Sequence, residues 1–152
     1  MNIRAALPAD IVHILRHRLA MFEEMGHTNA AVLDELQRVS EAYLGPALRD
    51  GGYRGWLAET DQGRVVAGGG LVIASWPGFP GEATARRAWI LNVYTDRDFR
   101  RRGIAKRITQ EIIEWCRAEG FSSVSLHASD DGRALYETLG FQPTNEMRLK
   151  LR

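Results

Sequence analysis

The feature that most constrains this fold is a strand-like run that passes directly into an amphipathic helix across residues 99–105, Phe-Arg-Arg-Arg-Gly-Ile-Ala. Upstream, residues 88–95 are rich in aliphatic and β-branched side chains, which is typical of a strand. Downstream, apolar side chains recur at helical spacing at Ile104, Ile108, Ile112 and Trp115. The chain therefore contains a strand that is joined to a helix by a short turn with a glycine in it.

The turn at the start of this helix predicts an anion site. Gly103 lets a ligand approach the backbone closely, and the first N–H groups of a helix have no intrahelical partners. The helix dipole is positive at this end, so phosphate is the expected ligand. A second interpretation is open at this point, in which Arg100, Arg101 and Arg102 are a solvated charge run and the glycine is a flexible turn.

Composition predicts one globular domain over residues 1–152 without a strong overall charge. The chain is long enough for one core, and its 45% hydrophobic and 26% charged residues are ordinary for a folded protein. Lys and Arg total 20 against 19 acidic residues, a net charge of +1, which creates no field to gather nucleic acid or anionic lipid. We therefore expect a local anion site and neither nucleic-acid nor membrane partners.

Cysteine usage and the N-terminal residues favour a cytoplasmic location. Cys116 is the only cysteine, so no intramolecular disulfide or thiol-based metal cluster can form, and we expect this residue to be buried and inert. Residues 1–8 lack the apolar core of a signal peptide. No stretch approaches the roughly 18 apolar residues that a membrane helix needs.

The pattern of apolar residues and turn signals predicts an alternation of strands and helices. The expected elements are a strand at 3–6, a helix at 8–26, a helix at 29–48 broken near Gly45-Pro46, a hairpin of strands 53–59 and 65–74, a strand at 87–95, a helix at 103–119, a strand at 123–128, a helix at 131–139, and closing strands at Phe141 and 147–151. The apolar members of the second helical pattern are Val32, Leu36, Val39 and Tyr43.

Two details of this pattern bear on the sheet. Strand 87–95, helix 103–119 and strand 123–128 form a crossover unit, so the two strands should be parallel neighbours. The run Gly68-Gly69-Gly70 lies inside a strand and no helix follows it, so it indicates a bulge or a close packing point and not a nucleotide fingerprint.

Two motifs in this order resemble the GNAT superfamily of acyl-CoA-dependent N-acyltransferases, and the resemblance covers nearly the whole chain. Arg100, Gly103 and Ala105 fill the family's phosphate-loop pattern Gln/Arg-x-x-Gly-x-Gly/Ala. Residues 135–141, Leu-Tyr-Glu-Thr-Leu-Gly-Phe, match its helix motif Leu-Tyr-Glu-x-x-Gly-Phe. Ser129 departs from the Asn that many relatives have seven residues before the tyrosine.

The resemblance implies an α/β (α+β) fold with a mixed, mostly antiparallel sheet of six to seven strands, helices on both faces and a central parallel strand pair that splays. It implies acetyl-CoA as co-substrate and no metal. The N–H groups of residues 101–106 would hold the pyrophosphate, and the pantetheine arm would lie along residues 93–95. The implied cofactor-binding residues are Val93, Tyr94, Thr95, Arg100, Arg101, Arg102, Gly103, Ile104, Ala105, Lys106 and Ser129.

The resemblance also implies how the acyl group would move. A backbone N–H near residues 93–94 would stabilise the oxyanion, an interaction worth about 3 kcal/mol. Tyr136 would protonate the departing thiolate. Glu24 is the candidate base at the acceptor wall, with Glu23 beside it, although both suit an ordinary surface. Asn92 in one strand and His127 in the next are either site residues or hydrogen-bonded core residues.

The resulting prediction is an N-acetyltransferase that transfers an acetyl group from acetyl-CoA to a primary amine of a small molecule or peptide by direct attack in a ternary complex. The corner 22–26 and the loop 76–80 would shape the amine pocket. A non-catalytic acyl-CoA sensor is the alternative, and nucleic-acid binding by the arginine cluster is a third interpretation that the near-neutral charge disfavours. A homodimer, with the C-terminal strand at its edge, is also open.

Overall fold

A five-stranded sheet lies between two helical layers in the computed structural model, which describes all 152 residues. The elements are β1 (Asn2–Ala5), α1 (Ile11–Glu24), α2 (Ala30–Asp50), β2 (Tyr53–Glu59), β3 (Val65–Ser75), β4 (Arg86–Thr95), α3 (Ile104–Ala118), β5 (Val124–Leu126) and α4 (Asp130–Thr138). Short 3-10 turns at Pro8–Asp10 and Arg97–Phe99 lead into α1 and into the loop before α3. The strands follow the order β1-β2-β3-β4-β5, and only the β4–β5 pair is parallel.

Each face of the sheet has its own core, because side chains alternate across the faces of a strand. One face packs against α3, and its buried residues include Trp56, Leu71, Ile90, Ile108, Ile112 and Cys116. The other face packs against α1 and α2, and its buried residues are Ile14, Leu44, Ala47, Tyr53, Leu57 and Val65. Cys116 is buried in the α3 core as expected, and this burial raises the pKa of its thiol to about 11.

The course of α2 differs from the prediction. The helix continues through Pro46 to Asp50 and ends at Gly51, whose φ of 85° is the left-handed conformation typical of a helix end. The proline removes one helical hydrogen bond. Leu44 and Ala47, on either side of it, are both buried against the sheet, and this packing holds the turn in helical form.

The apolar residues that define the helical pattern of α2 are not its buried face. Val32, Val39 and Tyr43 are about half exposed, whereas Ser40, Leu44 and Ala47 are buried. Ser40 is buried because its hydroxyl oxygen accepts a hydrogen bond from Arg18 Nε of α1 at 2.8 Å. The buried face of α2 therefore runs through Ser40, Leu44 and Ala47.

The sheet confirms the expected mixed, mostly antiparallel class with helices on both faces, but it has five strands and not six or seven. The predicted closing strands at Phe141 and 147–151 do not form. Phe141 donates its N–H to the Tyr136 carbonyl oxygen at 3.1 Å, and residues 142–152 make no hydrogen bond between backbone groups. The outer edge of β5 therefore has no neighbouring strand.

The triple glycine in β3 is a close packing point, and it lies opposite a bulge in β4. The β3–β4 register shifts between Gly68 and Gly70. A side chain at Gly68 would come within 2.9 Å of His17 Nδ1, and one at Gly69 within 2.8 Å of Ile108 Cγ2. At Gly70 it would overlap the Tyr53 hydroxyl. Glycine is required here because both helical layers approach the strand backbone directly.

The parallel pair separates as predicted. β4 and β5 pair only through Ala88–Ile90 and Val124–Leu126, and β4 then continues to Thr95 without a partner on that side. Residues 91–95 of β4 therefore have no partner strand on the β5 side, up to the turn before α3, and we call the space beside this edge the slot. None of the helices combines the length and the apolar character needed to cross a bilayer.

Candidate active site

The turn before α3 presents a run of free backbone N–H groups. The first bond into the helix runs from Arg107 N–H to the Gly103 carbonyl oxygen, at 3.1 Å, and the N–H groups of residues 101–106 donate to no protein acceptor. Arg101 and Gly103 both have left-handed backbones, with φ of 62° and 73°. Such alternation with right-handed residues is typical of anion-binding nests. We call residues 101–106 the cradle.

The arginine side chains of this turn have different surroundings. Arg102 Nη2 donates to the Asp98 carbonyl oxygen at 2.9 Å. Arg100 Nε donates to the Thr95 carbonyl oxygen at 2.9 Å, and its Nη2 donates to Glu24 at 2.6 Å. Arg101 has no protein partner and is exposed, as is Lys106. Arg100 thus fastens the end of β4 to α1, and contact of its guanidinium with a phosphate stays a prediction.

Glu24 is bound by three donors at the end of α1. Its carboxylate accepts hydrogen bonds from the Tyr94 hydroxyl at 3.0 Å, Arg97 Nε at 3.1 Å and Arg100 Nη2 at 2.6 Å. Partial burial opposes ionisation, but the hydrogen bonds from Arg100, Arg97 and Tyr94 together lower the pKa of Glu24. A carboxylate held this way is a weak base, so the geometry favours a latch between α1 and the cradle turn over the predicted proton acceptor.

Asn92 marks the bulge in β4. Gly70 pairs with Leu91 and Gly68 with Tyr94, so two β4 residues face Gly69 alone, and Asn92 has a φ of 58°. The buried Asn92 accepts from Arg18 Nη1 at 2.7 Å and donates to the Tyr53 hydroxyl at 3.2 Å. Its side chain is therefore a hydrogen-bonded core group that supports the bulge, which is one of the two interpretations open from sequence.

Residues 93–95 line the slot beside β4. Val93 packs towards α3, and Tyr94 lies on the opposite face, where its ring contacts His17 at 5.4 Å between centroids. Burial, followed by the hydrogen bond to Glu24, raises the pKa of Tyr94. Thr95 Oγ1 is buried without a hydrogen-bond partner. The unpaired edge of β4 and the cradle together form a donor set that fits a diphosphate with an extended amide-bearing arm.

The helix α4 carries the other predicted site residues. Ser129 Oγ accepts from Gly132 N–H at 3.2 Å and so caps the helix, the first of the two roles considered for it. Tyr136 packs edge-on against Phe141, with ring centroids 5.7 Å apart, and its hydroxyl has no protein partner. Burial raises the pKa of Tyr136. Tyr136 lines a cleft of about 1490 Å³ together with β5 and residues 142–148.

The predicted acceptor loop joins a stack of aromatic and charged groups. The Arg87 guanidinium lies 4.8 Å from the ring centroids of both Trp76 and Trp89. Trp89 meets His127 edge-on at 4.8 Å. Glu146 lies 2.7 Å from His127 Nε2, and this contact lowers the pKa of the carboxyl. His127 is therefore half-exposed and paired, and it is not a core residue.

Sequence reasoning missed a buried polar group under the bulge. His17 is fully buried on α1, and its Nε2 lies 2.8 Å from Arg16 Nη2, which can only donate. Burial, with the Arg16 charge, lowers the pKa of His17 to about 4, so the ring is neutral. Arg16 in turn donates to Asp96 at 2.8 Å. The only sequence signal was that His17 follows Ile14 by three residues, which places both on the same face of the helix.

A sheet that splays beside an unpaired strand, with an anion cradle where the next helix begins, defines the class of acyl-CoA-dependent acyltransferases. The sequence matches the Acetyltransferase (GNAT) family over residues 15–141, most of its length. The chain therefore belongs to the GNAT family of acetyltransferases.

Solved structures of similar proteins agree with this assignment. A GCN5-related N-acetyltransferase from Ralstonia eutropha JMP134 is 34% identical, with a TM-score of 0.91 over 99% of this chain and 97% of that one. A predicted acetyltransferase from Clostridium acetobutylicum, solved with acetyl-CoA, is 26% identical, with a TM-score of 0.83 over 99% and 95% of the two chains.

Two human proteins are similar over part of their length. N-acetyltransferase 8 is 27% identical over 94 residues, which are 60% of this chain and 39% of that protein. N-acetyltransferase 8B is 24% identical over 123 residues, 79% of this chain and 50% of that protein. The matches thus span half or less of these curated relatives.

Proposed function

We propose that this protein is a cytoplasmic N-acetyltransferase, with residues 1–152 as one domain, that transfers an acetyl group from acetyl-CoA to a primary amine of a small molecule or peptide. The observation that carries the proposal is the run of free N–H groups at residues 101–106 beside the unpaired edge of β4. The acetyl-CoA in the Clostridium acetobutylicum relative supports the same co-substrate.

The donor substrate would be held mainly by backbone groups. The cradle would bind the diphosphate through N–H donors at the positive end of α3. The pantetheine arm would lie along residues 93–95, where the open strand edge has the backbone donors and acceptors to pair with its amides. The thioester would then reach the bulge at Asn92.

Acyl transfer would proceed by direct attack in a ternary complex. The neutral amine nitrogen would bond to the thioester carbonyl carbon, and a backbone N–H at Val93 or Tyr94 would stabilise the oxyanion. Collapse would break the C–S bond and form the amide as the nitrogen releases its extra proton to water, and the Tyr136 phenolate would later regain a proton from water. Tyr136 would give its proton to the departing sulfur, and the same burial that raises the phenol pKa also disfavours a free thiolate.

The amine must lose a proton before it attacks, and the structure supports solvent for this step. Glu24 is occupied by three donors, and His17 is buried with its pKa lowered to about 4. Water at the open mouth of the slot would therefore accept the proton of the substrate ammonium group. The aromatic residues Trp76 and Phe79 of the loop 76–80 are partly exposed and would contact an amine with an apolar body.

The proposal is tested by calorimetry with coenzyme A and by a thiol-release assay with acetyl-CoA and a panel of primary amines. We expect binding, release of free coenzyme A and an acetylated product detected by mass. The variant Tyr136→Phe should lower kcat without changing the affinity for coenzyme A, whereas the control Tyr43→Phe, exposed on α2, should change neither.

The outcomes separate the alternatives. Binding without transfer to any amine would favour a non-catalytic acyl-CoA sensor. If a folded sample does not bind coenzyme A, the assignment of the cradle is wrong. If the protein binds nucleic acid and coenzyme A displaces it, the arginine cluster and the cradle are one anion site. Equal kcat in Tyr136→Phe would remove that residue from the mechanism.

A further inference from the structure

Arg18 of α1 is a half-buried arginine that has no acidic partner. Both of its protein acceptors are neutral, since Nε donates to Ser40 Oγ at 2.8 Å and Nη1 donates to Asn92 Oδ1 at 2.7 Å. Burial lowers the pKa of Arg18, and the only opposing effect comes from the Tyr53 phenol. The positive charge of this guanidinium is therefore not neutralised within the chain.

Two other arginines that reach into partly buried surroundings are paired with acids. Arg4 donates to Asp10 at 2.7 Å, and Arg16 donates to Asp96 at 2.8 Å. A charge that is removed from water is costly unless a charged partner accompanies it. The isolated charge of Arg18 therefore indicates that an anion from outside the chain completes its surroundings.

The guanidinium of Arg18 is held in one orientation and has donors to spare. Ser40 and Asn92 fix Nε and Nη1, and the Phe22 ring centroid lies 5.0 Å from Cζ. Both N–H groups of Nη2 and the second N–H of Nη1 donate to no protein acceptor. A planar guanidinium pairs with a planar carboxylate through two parallel hydrogen bonds. One such group neutralises one carboxylate, whereas it would leave a phosphate dianion half neutralised.

The position of Arg18 is close to the proposed acyl transfer. Its partner Asn92 directly precedes Val93, whose N–H is a candidate oxyanion donor. Further along α1, Glu24 contacts Tyr94, so the end of this helix follows β4 through residues 92–94. Consecutive Cα atoms are only about 3.8 Å apart. An anion bound by Arg18 would therefore lie a few atoms from the amine that attacks the thioester.

We propose that Arg18 binds the carboxylate of the acceptor substrate, and that the acceptor is a free amino acid whose amine and carboxylate lie close together. This inference rests on the proposed function and names the acceptor class of the same site. The chemical step is unchanged. The amine nitrogen bonds to the acetyl carbon, the C–S bond breaks, coenzyme A leaves as the thiol, and the product is an N-acetyl amino acid.

A comparison of matched amines with the wild-type protein tests the acceptor class without any substitution. Leucine is compared with leucinamide and with isoamylamine, which have a similar apolar body and no carboxylate. We expect kcat/KM for leucine to be higher by about 10²-fold or more, because the analogues leave the guanidinium unpaired. A carboxylate favours the ammonium form of a nearby amine, so amine protonation alone would give the opposite preference.

Substitution of Arg18 tests which residue causes the preference. Arg18→Gln keeps a donor and removes the charge, so kcat/KM for leucine should fall about 10²-fold while that for isoamylamine changes by less than about threefold. Arg18→Lys restores the charge and should recover part of the preference. The control Arg38→Gln, at a 69% exposed side chain of α2, should keep the wild-type preference. Circular dichroism checks that each variant is folded.

The outcomes distinguish this inference from the proposed function. Equal or faster transfer to isoamylamine and leucinamide would overturn the acceptor class and leave the acetyltransferase intact. An equal fall for all three amines in Arg18→Gln would reduce the residue to a support for the bulge. Faster transfer to 2-aminoethyl phosphate than to β-alanine would overturn the carboxylate assignment. Transfer to no amine at all would overturn the proposed function together with this inference.

Discussion

Gly103→Ala tests whether the cradle binds the donor substrate. Gly103 has a φ of 73°, and no atom lies within 4 Å of the position that a new methyl group would take. The substitution therefore introduces no overlap within the protein. It adds left-handed strain of about 1–2 kcal/mol and places a methyl group where a diphosphate would approach the backbone.

Gly120→Ala is the matched control for this change. Gly120 follows α3 with a φ of 79° and also has nothing within 4 Å. Both variants should therefore lose about 1–2 kcal/mol of stability, which lowers Tm by about 2–8 °C in a chain of this size. Only Gly103→Ala should weaken coenzyme A binding, by roughly tenfold, which corresponds to about 1.4 kcal/mol.

Differential scanning calorimetry and isothermal titration with coenzyme A measure the two effects separately. Wild-type affinity in a folded Gly103→Ala protein would refute the cradle, because a methyl group at the bound phosphate cannot be neutral. Equal weakening in both variants would assign the loss to general destabilisation.

Three further predictions concern the groups around the site. Glu24→Gln keeps the shape of the latch, so kcat should fall by less than tenfold while the KM for acetyl-CoA changes. A loss of about 10²-fold or more in kcat would instead identify Glu24 as a general base. Burial lowers the pKa of His17 to about 4 in the folded protein, whereas the unfolded ring has the ordinary pKa of about 6.5. Between pH 6.5 and 4 the ring is therefore protonated mainly in the unfolded state, and the free energy of unfolding should fall by about 3 kcal/mol. Urea unfolding at several pH values measures this loss, which His17→Gln should lack. Gly70→Ala would overlap the Tyr53 hydroxyl and should cost about 1–3 kcal/mol, and thermal unfolding should show partial recovery in the double variant with Tyr53→Phe.

The local features were predictable because they depend on neighbours in sequence. Four of the six N–H groups in the cradle, those of residues 103–106, are free because a helix starts at Ile104. The parallel pairing of β4 with β5 follows from a strand, a helix and a strand in succession. The buried Cys116 follows from helical periodicity in α3.

Features that join distant parts of the chain were not predictable in the same way. Glu24 becomes a latch because Tyr94 and Arg100, which are 70 and 76 residues away, approach the end of α1. Asn92 is buried because Arg18 and Tyr53 meet it from two other elements. The periodicity of apolar residues does not predict these hydrogen bonds, since bonds between elements depend on how the helices are rotated against the sheet.

The sequence by itself determined the order of the elements, the family and the backbone cradle, because strand and helix periods, turn residues and a helix start act over a few neighbouring residues. Only the tertiary structure decided that α2 continues through Pro46, that Glu24 is occupied by arginines and that the closing strands do not form within one chain. Each of these outcomes depends on which surfaces meet, and burial and hydrogen bonding between distant residues can override local preference.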